Sequence, residues 1–341
     1  MKKLKSIKII LVNILIIIFL LTIFELFLGS WLKNDFSYRL SSERNLYRVY
    51  KFNFTNHSGD SLYIRDTNGF RVEKDKINPK NIDVIFTGGS TTNQKFLNFR
   101  DTIVSKLDSH FNKTKFVNAG IDGLSVKGHI NSFDYWFDKI NDLKPKYYIF
   151  YLGINDQDLL KDYDRSVDQF RESNFKNTFK EYLESNSFIY KNLRVIKTNL
   201  YLKFKIDRGA NVVNRKTVVY GERDSEKFFK FKDFESRNKL DDIYYTKYRK
   251  LLEILIEKVS SRGSKIIFIT QTSGYGMNSE LFTASRTIID VCNKKGLFCI
   301  DVAKNLDLQY EDFYDSMHLT INGSNKVAKF LSAKLEEVIE P

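Results

Sequence analysis

The sequence predicts an α/β protein built on a five-stranded parallel sheet and preceded by one N-terminal transmembrane helix. Five short apolar runs rich in β-branched and aromatic residues recur along the chain. They are "IDVIFT" at 82–87, "KFVNA" at 115–119, "YYIFYLG" at 147–153, "KIIFIT" at 265–270 and "LFCIDV" at 297–302. Their hydrophobicity is continuous rather than alternating, as in strands covered on both faces. Segments of helical spacing lie between them, and strand alternating with helix is the α/β pattern. A long apolar segment behind a cluster of lysines opens the chain.

That first segment follows Lys2, Lys3, Lys5 and Lys8 and runs from Ile9 to Leu32. As a helix it would be about 36 Å long, enough to span a bilayer. Glu25 and Trp31 would lie towards the far interface, and the lysines place the N-terminus in the cytoplasm. The apolar stretch is longer than a signal-peptide core and no A-x-A site follows, so an uncleaved anchor is favoured over a cleaved leader. The expected organisation is an anchor at 1–33 and an extracytoplasmic domain at 34–341, at the cell membrane with a single span.

Residues 34–80 are polar and turn-rich, with "DTNGFRV" at 66–72 reading as a turn into a short strand. Beyond them, "RDTIVSKLDSHF" sets Ile103, Leu107 and Phe111 four apart on one helical face. "YTKYRKLLEILIEKVSSRG" (245–263) repeats apolar residues at helical spacing and stops at a glycine. Helical patterns at 281–294 and from Asn322 onward flank the fifth run. Residues 156–244 break this rhythm and read as a helical insertion followed by a mobile loop over about 206–238. Their mixture of basic and aromatic residues could grip a sugar polymer or the membrane surface, or simply belong to packing helices with a solvated face.

A chain of 341 residues with 42% hydrophobic content, three prolines and no Gly/Ser tract suits one elaborated domain. The net charge is +13, but 55 basic residues are interleaved with 42 acidic ones. No zinc-finger spacing, aromatic RNA-binding signature or basic arm accompanies it, so nucleic acid is not an expected partner. Attraction to anionic lipid head groups or acidic polymers is the expected consequence of the charge. Two cysteines, Cys292 and Cys299, make no disulfide framework. They could pair in an exported domain, but the reading adopted is two small buried side chains.

The chemistry centres on "VIFTGGSTT" at 84–92, where two of only 16 glycines adjoin at a strand end, just before Ser90. Neither G-x-x-x-x-G-K-[ST] nor G-x-G-x-x-G is present, so a phosphate cradle does not fit. A serine nucleophile needs a base, and the base needs an orienting group. Among His57, His110, His129 and His318, only His318 sits on a loop expected at the same sheet edge with a carboxylate, Asp315, three residues before it. His110 is expected at a helix end away from that edge, and His129 is a distant second candidate. No Cys/His cluster suggests a metal, and no cofactor is expected. Donors for an oxyanion are available from Gly120 and Gly123 in "VNAGIDGLS" and from Asn155 in "YLGINDQD".

With these motifs the chain resembles the SGNH/GDSL hydrolase family. Gly88-Gly89-Ser90-Thr91 is similar to its first block, Gly123 to the second-block glycine, Gly153-Ile154-Asn155-Asp156 to the G-x-N-D block and Asp315-Ser316-Met317-His318 to the last. The resemblance spans about residues 80–340 apart from the insertion. It implies a flavodoxin-like three-layer α/β/α sandwich, a catalytic triad of Ser90, Asp315 and His318, and an oxyanion hole from the Ser90 N–H, the Gly123 N–H and the Asn155 side chain. Gly89 stands where the family usually has Asp, and Thr91 where it has Leu. The expected activity is hydrolysis of O-acyl, foremost O-acetyl, esters of cell-surface glycans or other small esters. An O-acyltransferase using the same triad, or a catalytically inactive binding subunit of an envelope complex, are the alternatives.

Overall fold

The computed structural model describes residues 2–31, 43–54, 56–74, 76–161, 167–170, 183, 186–205, 212–214, 230–235 and 240–340. Helix α1 (Lys2–Leu28) leads into β1 (Leu46–Phe54), β2 (His57–Arg65) and β3 (Arg71–Val72). Then follow β4 (Val84–Gly88), α2 (Ser90–Asn93), α3 (Ile103–His110), β5 (Phe116–Asn118), α4 (Val126–Tyr135) and β6 (Tyr147–Leu152). The second half holds α5 (Phe188–Phe204), β7 (Val212–Asn214), α6 (Phe231–Glu235), α7 (Asp242–Ser260), β8 (Lys265–Thr270), α8 (Ser279–Lys295), β9 (Cys299–Ile300), α9 (Val302–Asn305) and α10 (Ile321–Leu335).

The five apolar runs form the parallel strands β4, β5, β6, β8 and β9, paired in the order β5-β4-β6-β8-β9. Counted within that set the order is the doubly wound one, with its switch point between β4 and β6. Successive residues face opposite layers. Ile85, Val117, Tyr148, Phe150, Ile266 and Phe268 pack with Phe133, Leu252 and Ile288 from α4, α7 and α8. Val84, Phe86, Ile149, Tyr151, Ile267 and Ile269 pack with Leu107 and Leu331 from α3 and α10. This is why the strands read as unbroken apolar runs: neither face meets water.

Helix ends carry their own signals. Asp241 and Asn278 cap α7 and α8 by accepting from the Tyr244 and Leu281 amides, both at 2.9 Å. Thr320 caps α10 by accepting from Gly323 N–H at 3.2 Å. Helix α1 contains a 22-residue apolar stretch, Ile7–Leu28, long and apolar enough to cross a membrane.

The sheet is wider than the five strands expected. Strands β1, β2 and β3 extend it antiparallel beyond β5, and β7 adds parallel to β1 at the far edge, giving nine strands among the described residues. The polar composition of residues 34–80 hid this extension because the residues it buries include Arg65, Arg71 and Ser61 as well as Val49, Tyr63 and Val72. Helix α5 and strand β7 fall within the insertion; of the loop expected over 206–238, residues 206–211, 215–229 and 236–238 lie outside the described residues.

The two cysteines are also not the independent buried side chains expected. Cys292 and Cys299 form a disulfide with their Cα atoms 6.2 Å apart. Gly296, at φ +63°, ends α8 and turns the chain directly back into β9, which brings the two together.

Candidate active site

Each candidate residue lies on a loop at the carboxyl edge of the parallel strands. Ser90 opens α2 directly after β4, and Gly123 follows β5. Asn155 follows β6, while Asp315 and His318 lie between β9 and α10. The structure brings Ser90, His318 and Asp315 into one line. Ser90 Oγ lies 2.7 Å from His318 Nε2, and His318 Nδ1 lies 2.6 Å from Asp315 Oδ2 and 2.8 Å from Oδ1. A proton on Nδ1 shared with Asp315 leaves Nε2 as the acceptor for the serine hydroxyl.

Local backbone holds the pair. Asp315 Oδ1 also accepts from the Met317 and His318 amides at 3.0 and 2.8 Å, closing the D-x-x-H turn on itself. Burial opposes the charge on Asp315, but the His318 imidazole and these amides outweigh it and hold the carboxyl below its usual range. Tyr314 stacks on His318 with planes 9° apart and ring centroids at 5.5 Å. Thr320 starts α10 two residues later and fixes where the loop ends.

The two departures in the first block have a physical reason. A Cβ at Gly89 would overlap the Asn155 amide as it lies here, so any larger residue requires that amide to shift off the Ser90 turn. Asn155 Nδ2 donates to Leu124 O at 3.0 Å, which aims its second N–H elsewhere. Thr91 Oγ1 accepts from Gln271 Nε2 at 2.7 Å, and Gln271 Oε1 accepts from Ile154 N at 2.8 Å. The loops after β4, β6 and β8 are thereby cross-braced through Gln271. Asp156 braces the same loop from beneath, accepting from Val126 N at 2.7 Å and Tyr248 Oη at 2.9 Å. Burial pushes its carboxyl up to about 6 against these bonds. Gly153 turns this loop at φ +131°, a conformation that favours glycine.

The remaining histidines are occupied elsewhere. His129 is fully buried beside Thr87, and burial pulls it down to about 3, so it stays neutral. His110 pairs with Glu336 at 2.6 Å at the end of α3. Gly120 is used structurally: its N–H donates to Asn118 Oδ1 at 3.0 Å, and its carbonyl accepts from buried Arg65 at 2.7 Å.

One wall of the site leaves no pattern in the sequence. The β1–β2 hairpin brings Phe54 to Tyr314, with ring centroids 4.5 Å apart, and Phe96 packs against both. These rings, with the ion-paired Lys95 and Asp122, enclose a cleft of about 160 Å³ over Ser90 and His318. His57 stacks on Tyr314 at 5.1 Å and bonds to Phe96 O through Nε2. No local pattern links residues so far apart in sequence, and the "KFNFTNH" stretch of β1 gave no hint of its destination. A larger cleft of about 290 Å³, between α6 and α9, does not include the Ser90 line.

Compared with known families, residues 59–331 match the profile described as GDSL-like Lipase/Acylhydrolase. The chain belongs to that family. It is therefore an ester-hydrolysing serine hydrolase. No curated protein matches the sequence. Among solved structures, a lipolytic protein of the G-D-S-L family from Desulfitobacterium hafniense DCB-2 is similar at 11% identity and TM-score 0.43, with 75% of this chain and 100% of that chain covered. The acetyl xylan esterase AlAXEase is similar at 11% identity and TM-score 0.41, covering 74% and 98%. Axe2, an acetyl-xylooligosaccharide esterase from Geobacillus Stearmophilus, is similar at 13% identity and TM-score 0.41, covering 75% and 96%. As a GDSL acylhydrolase, the chain carries its family profile across β2 to α10, so the added hairpin lies partly within the matched region.

Proposed function

We propose that this GDSL acylhydrolase is a membrane-tethered, extracytoplasmic serine esterase that removes short acyl groups, acetyl foremost, from cell-surface glycans. The observation that carries it is the line from Ser90 Oγ through His318 to Asp315, at 2.7 and 2.6 Å. Ser90 attacks the ester carbonyl while His318 Nε2 takes its proton, and Asp315 steadies the imidazolium. The oxyanion is met by the Ser90 N–H, the Gly123 N–H and the Asn155 amide. His318 returns the proton to the leaving alcohol, and water then attacks the acyl-enzyme by the same route.

The short acyl group is supported by the cleft of about 160 Å³, well below the roughly 300 Å³ at which sites for larger ligands begin. Beside the buried rings, the partly exposed Lys95–Asp122 pair offers charged groups to the hydroxyls of a sugar. For the cellular setting, α1 would span the membrane as an anchor at 1–33, with its lysines cytoplasmic and residues 34–341 outside as one catalytic domain interrupted by the 156–244 insertion. The Cys292–Cys299 disulfide suits an oxidising compartment.

The test is acetate release by the full chain from a panel of acetylated oligosaccharides, with Ser90→Ala as control. Release from acetylated sugars but not from long-chain esters is expected. Preference for long-chain esters would overturn the substrate reading, and equal release by Ser90→Ala would overturn the mechanism.

A further inference from the structure

We propose that helix α5 is a second membrane contact, lying lengthwise in the outer interface of the bilayer that α1 crosses. The proposal rests on reading α1 as a membrane helix. Its first support is the joint between the two helices. Glu25 lies near the outer end of the apolar stretch of α1, and its carboxylate caps α5: Oε2 accepts from the Phe188 and Ile189 amides at 3.0 and 3.1 Å, and Ser187 Oγ donates to Oε1. Ser30 N–H donates to Asn186 O at 2.8 Å, and Phe24 meets Phe188 edge-on at 5.7 Å. A carboxylate satisfied by a helix N-terminus fixes the first turn of α5 at the level where α1 leaves the hydrocarbon.

The second support is the distribution of side chains on α5. One face is buried on the hairpin: Arg194 donates to Asn45 O at 2.8 Å, Tyr201 Oη donates to Asp60 Oδ2 at 3.1 Å, and Thr198 lies between them. On the outward face Leu193, Ile196, Leu200 and Phe204 are 50, 55, 44 and 55% exposed. At about 100° per residue these four fall within roughly a quarter-turn of one another, making a continuous apolar stripe. Lys197 and Lys203 flank it and are exposed. An apolar stripe edged by lysines is the pattern of a helix lying in the head-group region, with the ammonium groups reaching lipid phosphates. The stripe starts where the membrane helix ends, and that continuity makes the bilayer its occupant. Because β1 packs on α5 and ends at Phe54 in the cleft, this contact would also set the height of the active site above the membrane.

The full chain, reconstituted in nanodiscs, tests this with an environment-sensitive fluorophore on Leu193→Cys or Leu200→Cys. The lipids are nitroxide-labelled at a shallow position in one set and at a deep position in another; the α5 sites are read with the shallow label and the α1 reference with the deep one. The native cysteines are paired, so the added thiol is the one labelled. Ile16→Cys in α1 and Tyr135→Cys on α4 serve as inside and outside references. The expected result is loss of emission with a blue shift at 193 and 200, as at 16, and neither at 135. Quenching at 16 without quenching at 193 and 200 would overturn the proposal alone; absence of quenching at 16 would overturn the anchor reading and this proposal together. If the α5 variants do not fold, hydroxyl-radical footprinting of the unsubstituted chain in the same nanodiscs decides. Protection of Leu200 and Phe204 beside labelled Ile254 supports the contact, and equal labelling of all three removes it.

Discussion

At the scale of residues, the turn proposed to carry the nucleophile packs closely against Asn155. Gly89 has no Cβ, and the Asn155 amide, proposed as an oxyanion donor, lies in the space a Cβ would take. Asn155→Ala should therefore lower kcat roughly 100–1,000-fold, the cost of one oxyanion donor. Gly89→Ala should approach about 100-fold by displacing that donor by around an ångström, with far-UV circular dichroism unchanged. Unaltered kcat in both variants would remove Asn155 from the chemistry. Asp315 makes a separate prediction. Its folded carboxyl is held below the usual range, so its contribution to stability is present above the unfolded value near 4 and disappears as pH falls through the folded value. Acid unfolding of Asp315→Asn should lack that component, measured as a shallower loss of stability below about pH 4.

At the scale of elements, the hairpin β1–β2 and strand β3 form the back wall of the site. Arg71 is fully buried and donates to the carbonyls of Asn93, Gln94 and Leu97, on the turn that follows Ser90. Burial pulls it down to about 10, so it remains charged at neutral pH. Arg71→Ala would leave these acceptors unpaired in the interior, and a loss of about 3 kcal/mol is expected in denaturant melts, with loosening of the nucleophile turn. Buried arginines also explain why this part of the sheet was not legible in the sequence: β2, which buries Ser61 and Arg65, and β3, which buries Arg71, show no apolar alternation. The disulfide escaped for another reason. Cys292 belongs to a helix and Cys299 to the next strand, and only the glycine turn at 296 makes them neighbours. Cys299→Ser, with Cys292→Ser, should cost about 2–3 kcal/mol through the freed loop, read as a lower Tm.

At the scale of the whole molecule, the parallel strands were legible because both faces are covered, which writes unbroken apolar runs into the chain. The Ser90, Asp315 and His318 loops were legible because a doubly wound sheet presents successive strand ends at one edge. The aromatic wall was not, since Phe54, Phe96 and Tyr314 converge only through the hairpin and the last loop. One continuous path now runs from the apolar helix α1 through the Glu25 cap to α5, then through β1 to the cleft. The central claim is that Ser90, activated by His318, is the nucleophile of this GDSL acylhydrolase. It is tested most directly by treating the folded full chain with a fluorophosphonate and mapping the adduct by peptide mass spectrometry. A single adduct on Ser90 that His318→Ala prevents is expected; labelling elsewhere, or none in folded wild-type protein, would rule Ser90 out as the nucleophile.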